Sequence, residues 1–134
     1  AYVCADRYCF GSFPSREEIT IEEGETAFDA ICRHYLYWNQ CARFMDGFKI
    51  DQRHDIVAQL AKDYKADGVI YESMKFCEFW SYDKILANHI FTEEFGVPCC
   101  TIEKEYALGS VGQLRTRFQA FIESLEIKNI QGGK

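Results

Sequence analysis

No stretch of 18 apolar residues occurs in this 134-residue sequence, so a membrane-spanning helix is not expected. Nor does it open on a basic segment followed by a short apolar core, so a secretory leader is not expected either. Basic runs interleaved with aromatics are missing too, and the net charge is −6. Nucleic acid is therefore not expected as a partner, because counterion release needs clustered Lys and Arg. The G-x-S-x-G elbow, the P-loop and G-x-G-x-x-G are absent, which removes the usual signatures of hydrolases, NTPases and dinucleotide enzymes. There is no H-E-x-x-H, and His34, His54 and His89 fall on three different predicted helices. Each histidine reads as satisfied or solvated rather than as a zinc ligand. No internal repeat or low-complexity segment stands out, and the chain opens on Ala1 rather than on methionine. An apolar run follows at once, and this start reads as a piece of something longer.

What is present describes a single globular domain. The length allows one real core and not two. Hydrophobic residues make up 48% and charged residues 27%, the balance of a folded chain rather than a disordered one. Seven cysteines are many for this size, but they are odd in number and scattered, and Cys99 and Cys100 are adjacent. A secreted disulfide scaffold shows even counts and a poor core. Long amphipathic helices are predicted instead, so reduced thiols and a cytoplasmic location are expected.

The pattern of elements is β, then two helices, then β-α-β-α. Ala1–Ala5 is an apolar run that reads as a strand, with Asp6 at its end. Phe28, Ile31, Cys32, Tyr35 and Leu36 follow helical spacing. Residues 38–49 read as irregular. Asp51 is a plausible N-cap for a helix that buries Ile56, Val57, Leu60, Ala61 and Tyr64. After Asp67-Gly68 comes a buried strand, Gly68-Val-Ile-Tyr71, continuing to Glu72. Ser81 or Tyr82 opens the next helix, with Ile85, Leu86, His89 and Ile90 inward and Gly96 just past its end. Val97–Ile102 is the third strand. Ser110 caps a final helix with Val111, Leu114, Phe118, Phe121, Ile122 and Leu125 on one stripe. This alternation predicts an α/β, three-layer Rossmann- or flavodoxin-like domain over residues 1–134, with a short, mostly parallel sheet.

Cys77 is the residue this pattern singles out. It follows Lys75-Phe76 directly after a predicted parallel strand, at the edge where open α/β sheets bind ligands. Cys9 and Cys41 also lie in or beside loops, but their spacing fits no zinc ribbon, C-x-x-C pair or ferredoxin run. Cys4, Cys32, Cys99 and Cys100 read as packing, and the adjacent pair would point to opposite faces of a strand. The last helix starts at the same edge as Cys77. Gln113 and Arg117 are four apart on one face of it, beside the free N–H groups of the helix start. A capped helix with a solvated basic face is the plainer reading of those residues.

Asp67-Gly-Val-Ile-Tyr71, Lys75-Phe-Cys77, Gly96-Val-Pro98 and Gly112-Gln-Leu-Arg-Thr-Arg117-Phe-Gln-Ala-Phe121, in this order, resemble the family of 2-hydroxyacyl-CoA dehydratases and ATP-dependent benzoyl-CoA reductases. The resemblance covers most of the chain, including Phe28 to Arg43, but only the C-terminal domain of a catalytic subunit. It implies a [4Fe–4S] cluster held by three cysteines, of which Cys77 is one and the others lie in N-terminal domains outside this chain. It also implies an open iron position for a thioester carbonyl, and a ketyl radical anion on the way to dehydration of a 2-hydroxyacyl-CoA or reduction of a benzoyl-CoA. The implied partners are those N-terminal domains, a homologous second subunit, an ATP-hydrolysing iron–sulfur activator and the acyl-CoA substrate. Ser110, Gln113 and Arg117 would form the substrate wall. Glu72 and Glu103 are candidates for proton handling, with a solvated strand-end carboxylate as the equal alternative; Asp6 has the same standing. Alone, the 134-residue piece is expected to be inactive. Where the family shows Asp-Pro after its cysteine, this sequence has Glu78-Phe79-Trp80, which could shape a pocket for a bulky acyl group. A non-catalytic flavodoxin-like binding module is the alternative that fold alone leaves open.

Overall fold

Thr26 starts the first helix by reciprocal capping. Its hydroxyl accepts from the Asp29 N–H at 3.2 Å, while the Asp29 carboxylate accepts from the Thr26 N–H at 3.3 Å. A computed structural model describes residues 1–8, 17–38, 41–44, 47–107, 109 and 111–132. The helix that Thr26 opens is α1 (Ala27–Tyr37). A 3₁₀ turn (Ala42–Phe44) leads to α2 (Gly47–Asp63), then come β1 (Val69–Met74), α3 (Glu78–His89), a π-helical turn (Ile90–Glu94), β2 (Cys99–Lys104) and α4 (Val111–Gln131).

β1 and β2 pair in parallel, Val69 opposite Cys99 through Met74 opposite Lys104. Two further bonds extend the ladder, Val69 N–H to Pro98 O and Lys75 N–H to Lys104 O, both 2.8 Å. A parallel pair needs a long crossover, and α3 with its π turn provides it. Gly96, at φ +67°, ends that crossover in the left-handed conformation expected of a C′ glycine. The Val97 N–H closes back on Phe91 O at 2.8 Å.

Gly68, at the entrance to β1, lies against α4. A β-carbon there would stand 2.8 Å from Phe121 Cζ and 3.2 Å from Leu125 Cδ1. Asn129 adds a bond to Asp67 at 3.2 Å, and Arg117 donates to the Thr101 carbonyl at 2.9 Å. The predicted stripe on α4 meets the sheet at Phe121 and Leu125. Leu114, Phe118, Phe121, Ile122 and Leu125 are half-buried along it, while Val111 is exposed.

Four expectations are corrected. Residues 1–8 form no strand, and Tyr2 and Val3 are largely exposed; an apolar run without a pairing partner gains nothing from extension. The sheet of the described residues thus has two strands, within an α/β architecture. α1 forms as expected but buries Ala30 and His34, leaving Phe28, Ile31, Cys32, Tyr35 and Leu36 exposed. α2 begins at Gly47 rather than after Asp51, and its buried face is Arg53, His54, Leu60 and Ala61, with Ile56 and Val57 half-buried and Tyr64 exposed. On α3, Asp83 and Ala87 are buried while Ile85 (70% exposed), Leu86 and His89 face outward. The buried Asp83 is held there by bonds from α2 and β1.

Candidate functional site

Met74, Lys75, Phe76 and Cys77 form a tight turn at the end of β1, closed by the Cys77 N–H on Met74 O at 3.2 Å. Phe76 sits at φ +67°, a conformation that a bulky residue adopts only when its surroundings demand it, and its ring is 88% exposed. Cys77 is the N-cap of α3, in extended conformation, and its side chain makes no capping bond. Its carbonyl accepts from the Ser81 N–H at 3.0 Å and from Ser81 Oγ at 2.8 Å. The thiol is half-buried, at the carboxyl edge of the sheet and at the start of a helix. The strand-end position is the one expected from the sequence, whereas the helix opens at Glu78, ahead of the expected Ser81 or Tyr82. Lys75 and Glu105 form an ion pair at 2.5 Å that joins the segments leaving the two strands, and its hydrogen bond raises the Lys75 pKa.

The other candidates are spread out. Glu72 pairs with Lys104 at 2.5 Å, and Glu103 with Lys84 at 3.2 Å. Side chains alternate along a strand, and Glu103 stands opposite Ser73 in the register, so the two carboxylates occupy opposite faces of the sheet. Gln113 is exposed on α4, and the Arg117 guanidinium reaches the Thr101 carbonyl. Asp6 is exposed and follows no strand. Ser110 and Cys9 lie outside the described residues. Trp80 is half-buried against Tyr71 and Arg53. Its ring lies 6.1 Å from that of Tyr71 and 5.1 Å from the Arg53 guanidinium carbon.

Among the described residues no group of three His, Cys, Asp or Glu side chains is placed to hold a metal. The six described cysteines are all free thiols. Burial, and then the neighbouring Cys100, push the Cys99 thiol up to about 12, so it stays protonated and inert at neutral pH.

The sequence reading missed a buried polar network centred on Asp83. That carboxylate is 4% exposed and is met from two other elements. Arg53 donates to one oxygen, with His54 Nε2 3.2 Å from the same atom, and the Tyr71 hydroxyl donates to the other. Burial works to raise the Asp83 pKa, but the bonds from His54 and Tyr71 and the charge of Arg53 outweigh it, leaving the carboxyl below its ordinary value. Burial, with the Asp83 charge, drives the Tyr71 phenol far upward. The Phe91 ring packs edge-on against His54, centroids 5.7 Å apart. The sequence did carry a signal. Trp80, Asp83, Ala87 and Phe91 share helical spacing, with an acid in the middle of an inward stripe.

An α/β unit that presents a cysteine at the carboxyl edge of parallel strands has the layout of a ligand-binding edge. Residues 1–125 match the family described as 2-hydroxyglutaryl-CoA dehydratase, D-component, and the chain belongs to that family. It is similar to the (R)-phenyllactyl-CoA dehydratase beta subunit of Clostridium sporogenes, with 33% identity over 103 residues, covering 77% of this chain and 26% of that protein. It is also similar to a protein of Escherichia coli (strain K12) with a provisional dehydratase-subunit name, YjiM, at 29% identity over 117 residues, covering 87% of this chain and 29% of that protein. The chain thus spans under a third of the length of these curated relatives.

Proposed function

We propose that this chain is the cluster-ligating C-terminal part of a 2-hydroxyacyl-CoA dehydratase subunit, with Cys77 as one ligand of a [4Fe–4S] cluster. The observation that carries this reading is the half-buried Cys77 thiol, free of any capping bond, at a ligand-binding sheet edge in a chain of this family. The donor set fits one corner of such a cluster. The described residues offer no completing group, and in this reading the remaining cysteines belong to N-terminal domains outside this chain. When bound, the cluster supplies Lewis-acid and one-electron chemistry at a thioester carbonyl. Dehydration is favoured over benzoyl-CoA-type reduction because both relatives carry dehydratase names.

Within this reading the chain's own residues bind and orient. Ser110, Gln113 and Arg117 form one wall of the acyl-CoA site, and Glu72 and Glu103 are the carboxylates available to move protons, each on its own face of the sheet. The chain is read as a three-layer, Rossmann- or flavodoxin-like domain, joined by N-terminal domains of the same subunit. A homologous second subunit and an ATP-dependent iron–sulfur activator are the partners, in the cytoplasm.

Replacing Cys77 by Ala in the full-length subunit tests the assignment. Loss of cluster iron and of dehydratase activity is expected. A variant with full iron content and full activity overturns it.

A further inference from the structure

We infer that Asp83 is a positioning residue for Cys77: its buried carboxylate fixes the rotation and axial setting of the first two turns of α3, and so the direction in which the thiol faces. The inference takes its meaning from the proposed cluster role of Cys77, but its test does not depend on that role.

Cys77 does little to place itself. Its side chain makes no capping bond, and the residue beside it holds a backbone conformation that its own side chain disfavours. What anchors α3 lies further along the helix. Asp83 is six residues on, a distance of about 9 Å at 1.5 Å per residue. There Arg53 and His54 of α2 converge on one carboxylate oxygen, while Tyr71 of β1 takes the other. Trp80, three residues earlier and therefore on the same side of the helix, packs against Tyr71 and Arg53.

Apolar side chains could fill this space at no loss of stability, because a buried ion pair is seldom more stabilising than a packed hydrophobic substitute. The ionic version adds direction. Apolar contact tolerates a sliding or rotating helix, whereas donors from two elements aimed at two oxygens do not. A shift of one residue turns α3 by about 100° and breaks every bond at once. Ile85 and Leu86 face outward, so the side of α3 that carries Asp83 is the one turned in, together with Ala87. A rigid α3 then carries the setting back to its first residue, and Cys77 stands immediately before it.

The test is the rate at which a neutral maleimide modifies Cys77 in the chain, read by peptide mass spectrometry against exposed Cys32 in the same molecule. In Asp83→Asn, with helix content retained by circular dichroism, Cys77 reacts about tenfold faster, the effect of weakening its charge-assisted bonds, and Cys32 is unchanged. Tyr71→Phe, which removes one donor and keeps the ring, moves Cys77 in the same direction by a smaller factor. An unchanged Cys77 rate in folded Asp83→Asn overturns the inference, as does equal acceleration of both cysteines, the mark of general loosening. Should Asp83→Asn not fold, an unchanged rate in Tyr71→Phe overturns it. In the full-length subunit, Asp83→Asn alters the electron paramagnetic resonance line shape of the reduced cluster. If Cys77→Ala retains its iron, the cluster reading fails while the labelling result still decides the role of Asp83.

Discussion

Tyr71 donates its phenolic hydrogen to the carboxylate of Asp83, tying the middle of β1 to the second turn of α3. The same carboxylate accepts from Arg53, so one buried group joins three elements. Removing one member of a buried ion pair strands the other. Arg53→Met is therefore expected to destabilise the chain by about 3–5 kcal/mol, and the double variant Arg53→Met, Asp83→Leu by clearly less than the sum of the single changes. Urea denaturation of the four chains measures the coupling.

Acid should weaken the fold through the same group. The Asp83 carboxyl holds its proton less readily folded than unfolded, so its contribution is complete above the unfolded value of about 3.9 and is lost as pH falls through the folded one. The urea midpoint of the parent chain therefore drops between pH 6 and pH 3, and this drop is smaller in Asp83→Asn.

Base should do the same through Tyr71, with the opposite sign. Its phenol is driven upward on folding, so the contribution of the neutral form is complete below the unfolded value of about 10 and is lost as pH rises above it. Tyr71→Phe is less stable than the parent at pH 8 and loses less between pH 9 and pH 11, measured as denaturation midpoints.

Two glycines should fail for different reasons. Gly68→Ala drives a β-carbon into Phe121 and the Pro98 carbonyl, and is expected to cost about 1–3 kcal/mol by displacing α4. Gly96→Ala meets no atom within 4 Å but must hold φ at +67°, which costs about 1 kcal/mol. Adding Phe121→Leu to each variant separates them by thermal melting, since relief is expected at Gly68 alone.

Phe76→Gly should stabilise the chain. The ring is exposed and the backbone is left-handed, so relief of about 1 kcal/mol exceeds the packing lost. A higher melting temperature is the expected result.

The parts of the fold that local chemistry determines were legible in the sequence. The apolar run ending in Tyr71 and the positive-φ glycine at 96 needed only strand propensity and turn chemistry. Together they place Cys77 at the strand end. Features that depend on distant partners were not legible. Ala1–Ala5 has the composition of a strand, but pairing is a property of two segments, and residues 1–8 form none. Ile85 and Leu86 make an apolar stripe as good as the true inward face of α3, and the partners that meet that face, Arg53 and Tyr71, lie elsewhere in the chain. His54 looked like an ordinary helical histidine because Asp83 is 29 residues away.

The protonated state of Cys99 has a practical corollary. A spin label or fluorophore applied at neutral pH disfavours that raised thiol and attaches first at the exposed Cys32 of α1. Thiol chemistry thus supplies a reporter on α1 without any engineered attachment point.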